Sequence, residues 1–365
     1  MPFIIDAHED LAYNYASYQR DYRRSAAETR RREVGADYLS RIDDTLLGWE
    51  EYQRGQVALL VGTLFVAPAG YSQADRGRPN FLSGDETWRA HNQQIDYYNL
   101  LDQSDEHLFR LVRSRSDMQS VLAPWQAQPA AFPDLTHPVG IIMSIEGLEG
   151  VRKVADIEAY WDMGVRAIGP VWAGGRFCGG TKEYGGFTSE GYYLLKSMAR
   201  LGYILDLAHM TDLSARQALD AYEGTVIASH ANVRALLGAE PGERHLTNEA
   251  IRSLVQRGGV MGVIPNNEFL DLSWNREING RSITLDPLID HIDHICQLAG
   301  SARHVAFGTD FDGGFGLQSV PRGIDTIADL QKLAPMLRSR GYSAADIELI
   351  FGKNWERILE NALPV

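Results

Sequence analysis

The sequence predicts a (β/α)8 barrel, and three observations predict it. Eight short apolar runs alternate with longer amphipathic stretches. The runs are nearly continuous in apolar residues, which is how strands read when a parallel sheet buries both of their faces. The length, 365 residues at 44% hydrophobic, suits one barrel of about 250 residues with insertions. A doubly wound open sheet is the runner-up, but no GxGxxG follows the first run.

The first run, FIIDAH (3–8), leads into a long connection, residues 12–55, before VALLVGTLFV (57–66). That connection carries RRSAAETRRREVG, with Arg23, Arg24, Arg30, Arg31 and Arg32, which reads as a solvated helix face rather than a binding patch. After the second run comes PAGYSQADRGRPNFLSGD, whose Gly, Pro and Ser predict a loop over the mouth of the barrel. The helix-like ETWRAHNQQIDYYNLLDQ precedes VGIIMSIE (139–146), and DIEAYWDMG precedes VRAIGPVW (165–172). SEGYYLLKSMARLG then leads to YILDLAH (203–209), and DLSARQALDAY to TVIASH (225–230). VMGVIPNN (260–267) and HVAFGTDF (304–311) complete the set. No linker divides the chain, so residues 1–365 are expected to form a single barrel domain with insertions around 12–55 and 67–87.

Five of the eight runs end in a residue able to bind a metal. His8 and Asp10 close the first, Glu146 the third, His209 the fifth, His230 the sixth, and Asp310 the eighth. In a barrel these C-terminal ends converge on one mouth. Residues two apart on a strand share a face, so His8 and Asp10 can point together. Imidazole nitrogen and carboxylate oxygen suit zinc, and also iron(II), manganese or cobalt. Two ions could use His8, Asp10, Glu146, His209 and His230 with one carboxylate bridging. They would generate hydroxide at neutral pH and polarise a carbonyl or phosphoryl oxygen. Asp310 is then left as base or proton shuttle. The bland reading of GTDFDG is a tight turn in which Asp312 bonds its own backbone.

The other histidines are weaker candidates. His291 and His294 lie three apart on a helix expected on the outside of the barrel, where a packing or surface role is favoured. Ser229 precedes His230 without a GxSxG elbow, which argues against a serine hydrolase. The formal charge of −13 argues against a nucleic-acid or anionic-membrane surface. No apolar run approaches the ~20 residues of a membrane span. The two cysteines, Cys178 and Cys296, are far apart. With the first motif at residue 6 and no leader expected before it, these features predict a cytoplasmic protein that is not membrane-bound.

DAHEDL, SIEG, DLAHM, ASHANVRAL, ERHLTNE and GTDFDG, in this order, resemble the membrane (renal) dipeptidase family of the amidohydrolase superfamily. The resemblance runs from residue 4 to about residue 361 and includes the closing FGKNWERIL. It implies a (β/α)8 barrel with two divalent ions, zinc first among them, and cleavage of a dipeptide amide by a metal-bridging hydroxide. A D-residue on the C-terminal side and a homodimer fit the same family. By motif match, His8 and Asp10 would hold one ion, His209 and His230 the other, and Glu146 would bridge. Asp310 would handle the proton. Arg244 would bind the substrate's terminal carboxylate with its forked guanidinium.

Two positions depart from the family pattern. DAHED stands where DGHND is usual, which changes no ligand. Trp172 stands where the family has a substrate-facing histidine, and no histidine occurs between His137 and His209. Loss of one such oxyanion donor costs ~10²–10³ in rate, which weakens hydrolysis without abolishing it. Arg176 is a candidate replacement donor. The alternatives are an apolar wall for a different acyl group, in a pocket for another small amide, a lactone or a phosphoester, and simple packing of Trp172 under the loop GGRFCGGTKEYGG.

Overall fold

A computed structural model of the chain describes residues 1–66, 84–104, 107–238 and 241–365. Nine strands form one sheet: β1 (Ile4–Glu9), β2 (Val57–Phe65), β3 (Phe109–Leu111), β4 (Val139–Glu146), β5 (Val165–Gly169), β6 (Ile204–Asp206), β7 (Val226–Ile227), β8 (Met261–Val263) and β9 (Val305–Phe307). Their order is β7-β6-β5-β4-β2-β1-β9-β8, all parallel, with β3 paired to β4 off this path. A parallel bridge from Ala228 to Met261 joins the two ends of the order and closes the ring. The eight strands of the ring are the eight apolar runs, so the predicted (β/α)8 barrel is the observed fold. β3 is the strand the sequence reading missed. Its three residues, FRL, give no periodicity to detect.

The interior is what the apolar runs imply: Ile5, Leu60, Ile142, Ile168 and Phe307 are all fully buried. Predicted helices appear at Gly84–Gln103, Asp156–Asp162, Ser189–Leu201 and Asp212–Ala221. Thr188 and Thr211 cap the last two by accepting from the backbone N–H of Gly191 and Ser214. The loop expected after β2 falls mostly on residues 67–83, outside the described residues. Its last part, from Gly84, is already the first turn of a helix. No helix among the described residues is long and apolar enough to cross a membrane.

Several strands are shorter than their runs. TVIASH contributes two strand residues and YILDLAH three. The reason lies in two buried carboxylates. Asp206 accepts from the Ser229 N–H (2.7 Å), the Ser229 hydroxyl and the Ala208 N–H (3.0 Å). Asp6 accepts from the N–H (2.8 Å) and hydroxyl of Thr309, and from the His8 N–H (3.4 Å). Each side chain replaces ladder bonds between neighbouring strand ends, which frees the next residues to turn into the mouth. His209 (φ 66°) and Asp310 (φ 57°) make that turn in the left-handed region. Gly308 permits the closest approach: a Cβ there would lie 1.7 Å from the Ser229 carbonyl oxygen.

The 12–55 connection is helical in four pieces, Leu11–Tyr18, Ala26–Glu33, Leu39–Ile42 and Trp49–Gly55. It docks on the Asp310 loop through Arg20, whose side chain is fully buried. Arg20 donates to Glu33 (2.8 and 3.0 Å) and to the Asp43 carbonyl (2.7 Å), and lies 3.3 Å from Asp312. Asp312 also accepts from the Tyr22 hydroxyl (2.9 Å), the Thr45 hydroxyl (2.5 Å) and the Leu46 N–H (2.9 Å). The GTDFDG segment is therefore a turn, but the Asp312 carboxylate serves the early connection and not its own backbone. The arginine-rich helix is largely paired at the surface, with Arg32 on Glu28 and Arg30 on Asp325.

Candidate metal centre

The ring order brings all six strand-end candidates to one mouth. Glu146 Oε1 is 2.9 Å from His209 Nε2 and 3.2 Å from His230 Nε2. The same oxygen is 3.8 Å from His8 Nε2, which in turn is 3.8 Å from Asp10 and 3.9 Å from Asp310. The ligand atoms fall into three overlapping groups, each within 4.8 Å: His8, Asp10 and Glu146; Glu146, His209 and His230; and His8, His230 and Asp310. Glu146 belongs to two of them. Among the described residues, neither His291 nor His294 joins any such group. His291 is buried and accepts from the Val233 N–H (3.1 Å), and His294 bonds Asn248 (2.8 Å).

Each histidine is held at Nδ1 by a hydroxyl: Thr63 on His8 (3.3 Å), Thr181 on His209 (2.8 Å) and Ser229 on His230 (2.8 Å). This leaves all three Nε2 atoms facing inward, the arrangement that orients metal-binding imidazoles. The sequence assigns no role to Thr63, Thr181, Asp6 or Asp206, and Ser229 figures there only as a rejected nucleophile. The available signal was an aspartate two or three residues before a strand-end histidine, in DAH and DLAH.

The electrostatics call for a cation. Burial raises the carboxyls of Asp10, Glu146 and Asp310, well above the ordinary range for Asp310. Burial opposes a charge on His8, but Glu146, Asp10 and Asp310 overcome it and lift the imidazole to about 10. Burial, with Arg244 and His8 nearby, pushes His209 and His230 far down, so both are neutral. Three buried carboxylates thus face His8 and Arg244, with two neutral nitrogen donors beside them. His8 Nε2 and Asp10 Oδ1 are buried without a hydrogen-bond partner, a cost that bound cations would remove. The donor set therefore fits divalent metal ions.

Arg244 lies at the edge of this cluster. It donates to the His230 carbonyl (3.0 Å) and its guanidinium sits 5.4 Å from the centre of the Phe269 ring. Its Nη2 is buried with no partner. Asp310 and Glu146 favour its charge, though burial opposes it more.

Trp172 stands over His209, ring centres 5.8 Å apart, and against Phe65 at 5.5 Å. Glu149 accepts from the N–H groups of Trp172 (2.7 Å), Ala173 (2.8 Å) and Gly174 (3.2 Å), fixing that backbone. Arg176 is not a replacement donor. It is committed to Glu190 (2.8 Å) and to the carbonyls of Val151, Glu149 and Arg152.

Comparison with known proteins identifies the family and the fold. The family model for membrane dipeptidase (peptidase family M19) matches residues 2–364. An uncharacterized protein from the pqqA 5′ region of Klebsiella pneumoniae is 30% identical over 61% of this chain and 82% of its own. An uncharacterized dipeptidase of Schizosaccharomyces pombe is 28% identical over 60% of this chain, which spans only about half (52%) of that relative. Among solved structures, a Rhodobacter sphaeroides metallopeptidase bound to a phosphinate mimic of L-Ala-D-Ala superposes with a TM-score of 0.78 at 20% identity, covering 99% of both chains. That likeness establishes the fold.

Proposed function

Since the chain belongs to the membrane dipeptidase family, peptidase family M19, we propose that it is a two-metal dipeptidase, with zinc as the native ion. The observation that carries this reading is the position of Glu146. One oxygen lies within 3.2 Å of His209 and His230 and 3.8 Å from His8, where a single carboxylate can serve two ions. His8 and Asp10 would hold one ion, and His209 and His230 the other. When bound, the ions supply a water of lowered pKa and polarise the scissile carbonyl.

The chain's own residues do the rest. Arg244 Nη2, buried and unpartnered, receives the substrate's terminal carboxylate in a charge-assisted bond. This sets the amide over the cluster and excludes longer chains that continue past that carboxylate. Asp310 takes the proton from the attacking water and returns it to the leaving amine. Its carboxyl lies 3.9 Å from His8 Nε2, within reach of the cluster. Asp6 fixes Thr309, and hence Asp310, beside His8.

The alternative substrates, another small amide, a lactone or a phosphoester, rest on Trp172 alone. Arg244 favours a substrate that ends in a carboxylate. The test is to load the protein with zinc, count ions per chain, and assay a panel of L-L and L-D dipeptides. Two ions and turnover that stops on chelation are expected. No turnover of any dipeptide, or a stoichiometry of one under replete conditions, would refute the reading.

A further inference from the structure

We propose that Tyr13, Phe65 and Trp172 form an aromatic wall that receives the side chain of the substrate's N-terminal residue, so that the enzyme selects dipeptides whose first residue is large and apolar. This deepens the dipeptidase reading and rests on it.

The three rings form a continuous arc ending at the metal cluster. Tyr13 meets Phe65 edge-on at 5.4 Å, Phe65 meets Trp172 at 5.5 Å, and Trp172 meets His209 at 5.8 Å. All three are half-buried, so each keeps part of its surface accessible. Phe65 is directly opposite Glu146 in the β2–β4 register, and Gly169, just before Trp172, is opposite Glu146 in the β4–β5 register. The wall therefore rises over β2, β4 and β5.

Arg244 sits on the other side. It bonds the carbonyl of His230, which follows β7, and packs on Phe269, which follows β8. In the ring order β7-β6-β5-β4-β2-β1-β9-β8, β7 is diametrically opposite β2, and β8 is opposite β4. A dipeptide with its carboxylate on Arg244 must cross the cluster to be cleaved, and its first residue then arrives at Phe65 and Trp172. The wall is rigid, because Glu149 holds three consecutive N–H groups at Trp172. Aromatic surface gains most by covering apolar side chains.

The test has two parts. The first is kcat/KM on the zinc-loaded protein for X-Ala dipeptides, with X as Gly, Ala, Leu or Phe and alanine as L or D. The second is calorimetric binding of phosphinate mimics with the same X. Phe and Leu are expected to exceed Gly by tenfold or more in both. The Phe/Gly ratio is expected to fall toward one in Trp172→Ala and Phe65→Ala. A wild-type ratio near one favours cation–π capture of the ammonium by the same rings, and any wild-type ratio below tenfold overturns the wall. So does an unchanged ratio in both variants when metal content and melting temperature are retained. If no dipeptide turns over, the dipeptidase reading fails by itself. The mimics then still decide the wall, which stands if Phe binds tenfold tighter than Gly and falls otherwise.

Discussion

Thr181→Val should weaken one metal site and leave the fold intact. Thr181 Oγ1 lies 2.8 Å from His209 Nδ1, and a bridge between Gly180 and Met210 holds it there. Valine keeps the volume and branching and removes only the hydroxyl. His209 would retain its contact with Trp172 but lose the group that sets its tautomer and ring angle. Partners of this kind are worth ~10–100-fold in metal affinity, or about 1.4–2.8 kcal/mol at 1.4 kcal/mol per decade. The assay is a cobalt or zinc titration against a competing chelator. One ion, the one assigned to Glu146, His209 and His230, should bind 10–100-fold more weakly while the other is unchanged, and saturating metal should restore most of kcat. Thr181→Ser keeps the hydroxyl and should restore affinity to within about threefold. The reasoning is refuted if Thr181→Val binds both ions as tightly as the wild type, or if Thr181→Ser loses as much.

Arg244→Lys keeps the charge but loses the fork. It should lower kcat/KM by ~10²-fold, mostly through KM, and a dipeptide amidated at its C-terminus should show a much smaller effect. Asp310→Asn should lower kcat by ~10²–10⁴ with metal content unchanged by elemental analysis; activity within tenfold of wild type would remove Asp310 from proton transfer. Arg20→Met leaves Glu33 and Asp312 buried without their cation and should destabilise the chain by about 3–5 kcal/mol in denaturant unfolding. His91 and His291, both away from the mouth, are pushed down to about 4 by burial. Folding thus favours the neutral ring, while the unfolded chain takes up the proton near 6.5. Their stabilisation is complete above pH 6.5 and is lost as pH falls toward 4, on the order of 3 kcal/mol each. In His91→Gln the slope of stability against pH over that window should be shallower by about one proton.

The barrel was legible because parallel strands buried on both faces cannot avoid apolar runs, and β1, β2 and β4 are long enough to show it. β3 was not legible, since three residues carry no pattern. Of the candidate site, the residues that could hold metal were legible because they break those runs at their ends: His8, Asp10, Glu146, His209, His230 and Asp310 are polar where the pattern demands apolar. Arg244 was legible only through the family motif, because a lone arginine in a loop has no period.

The groups that aim these residues were hidden for a different reason. Thr63, Thr181 and Ser229 act on histidines that are 55, 28 and 1 residues away in the chain, and a hydroxyl shows its partner only in space. Asp312 looked like a turn residue and proved to be the anchor for Arg20, Tyr22, Thr45 and Leu46. Arg176 looked available and proved to be bonded to Glu190. The amino-acid sequence by itself determined the fold class and the kinds of donor atom at the barrel mouth, because burial and strand periodicity act locally along the chain. Only the tertiary structure decided which nitrogen of each histidine faces inward, that Glu146 touches both halves of the cluster, and that Arg244 stands across the ring from Phe65 and Trp172. Those are distances between strands that meet only when the ring closes.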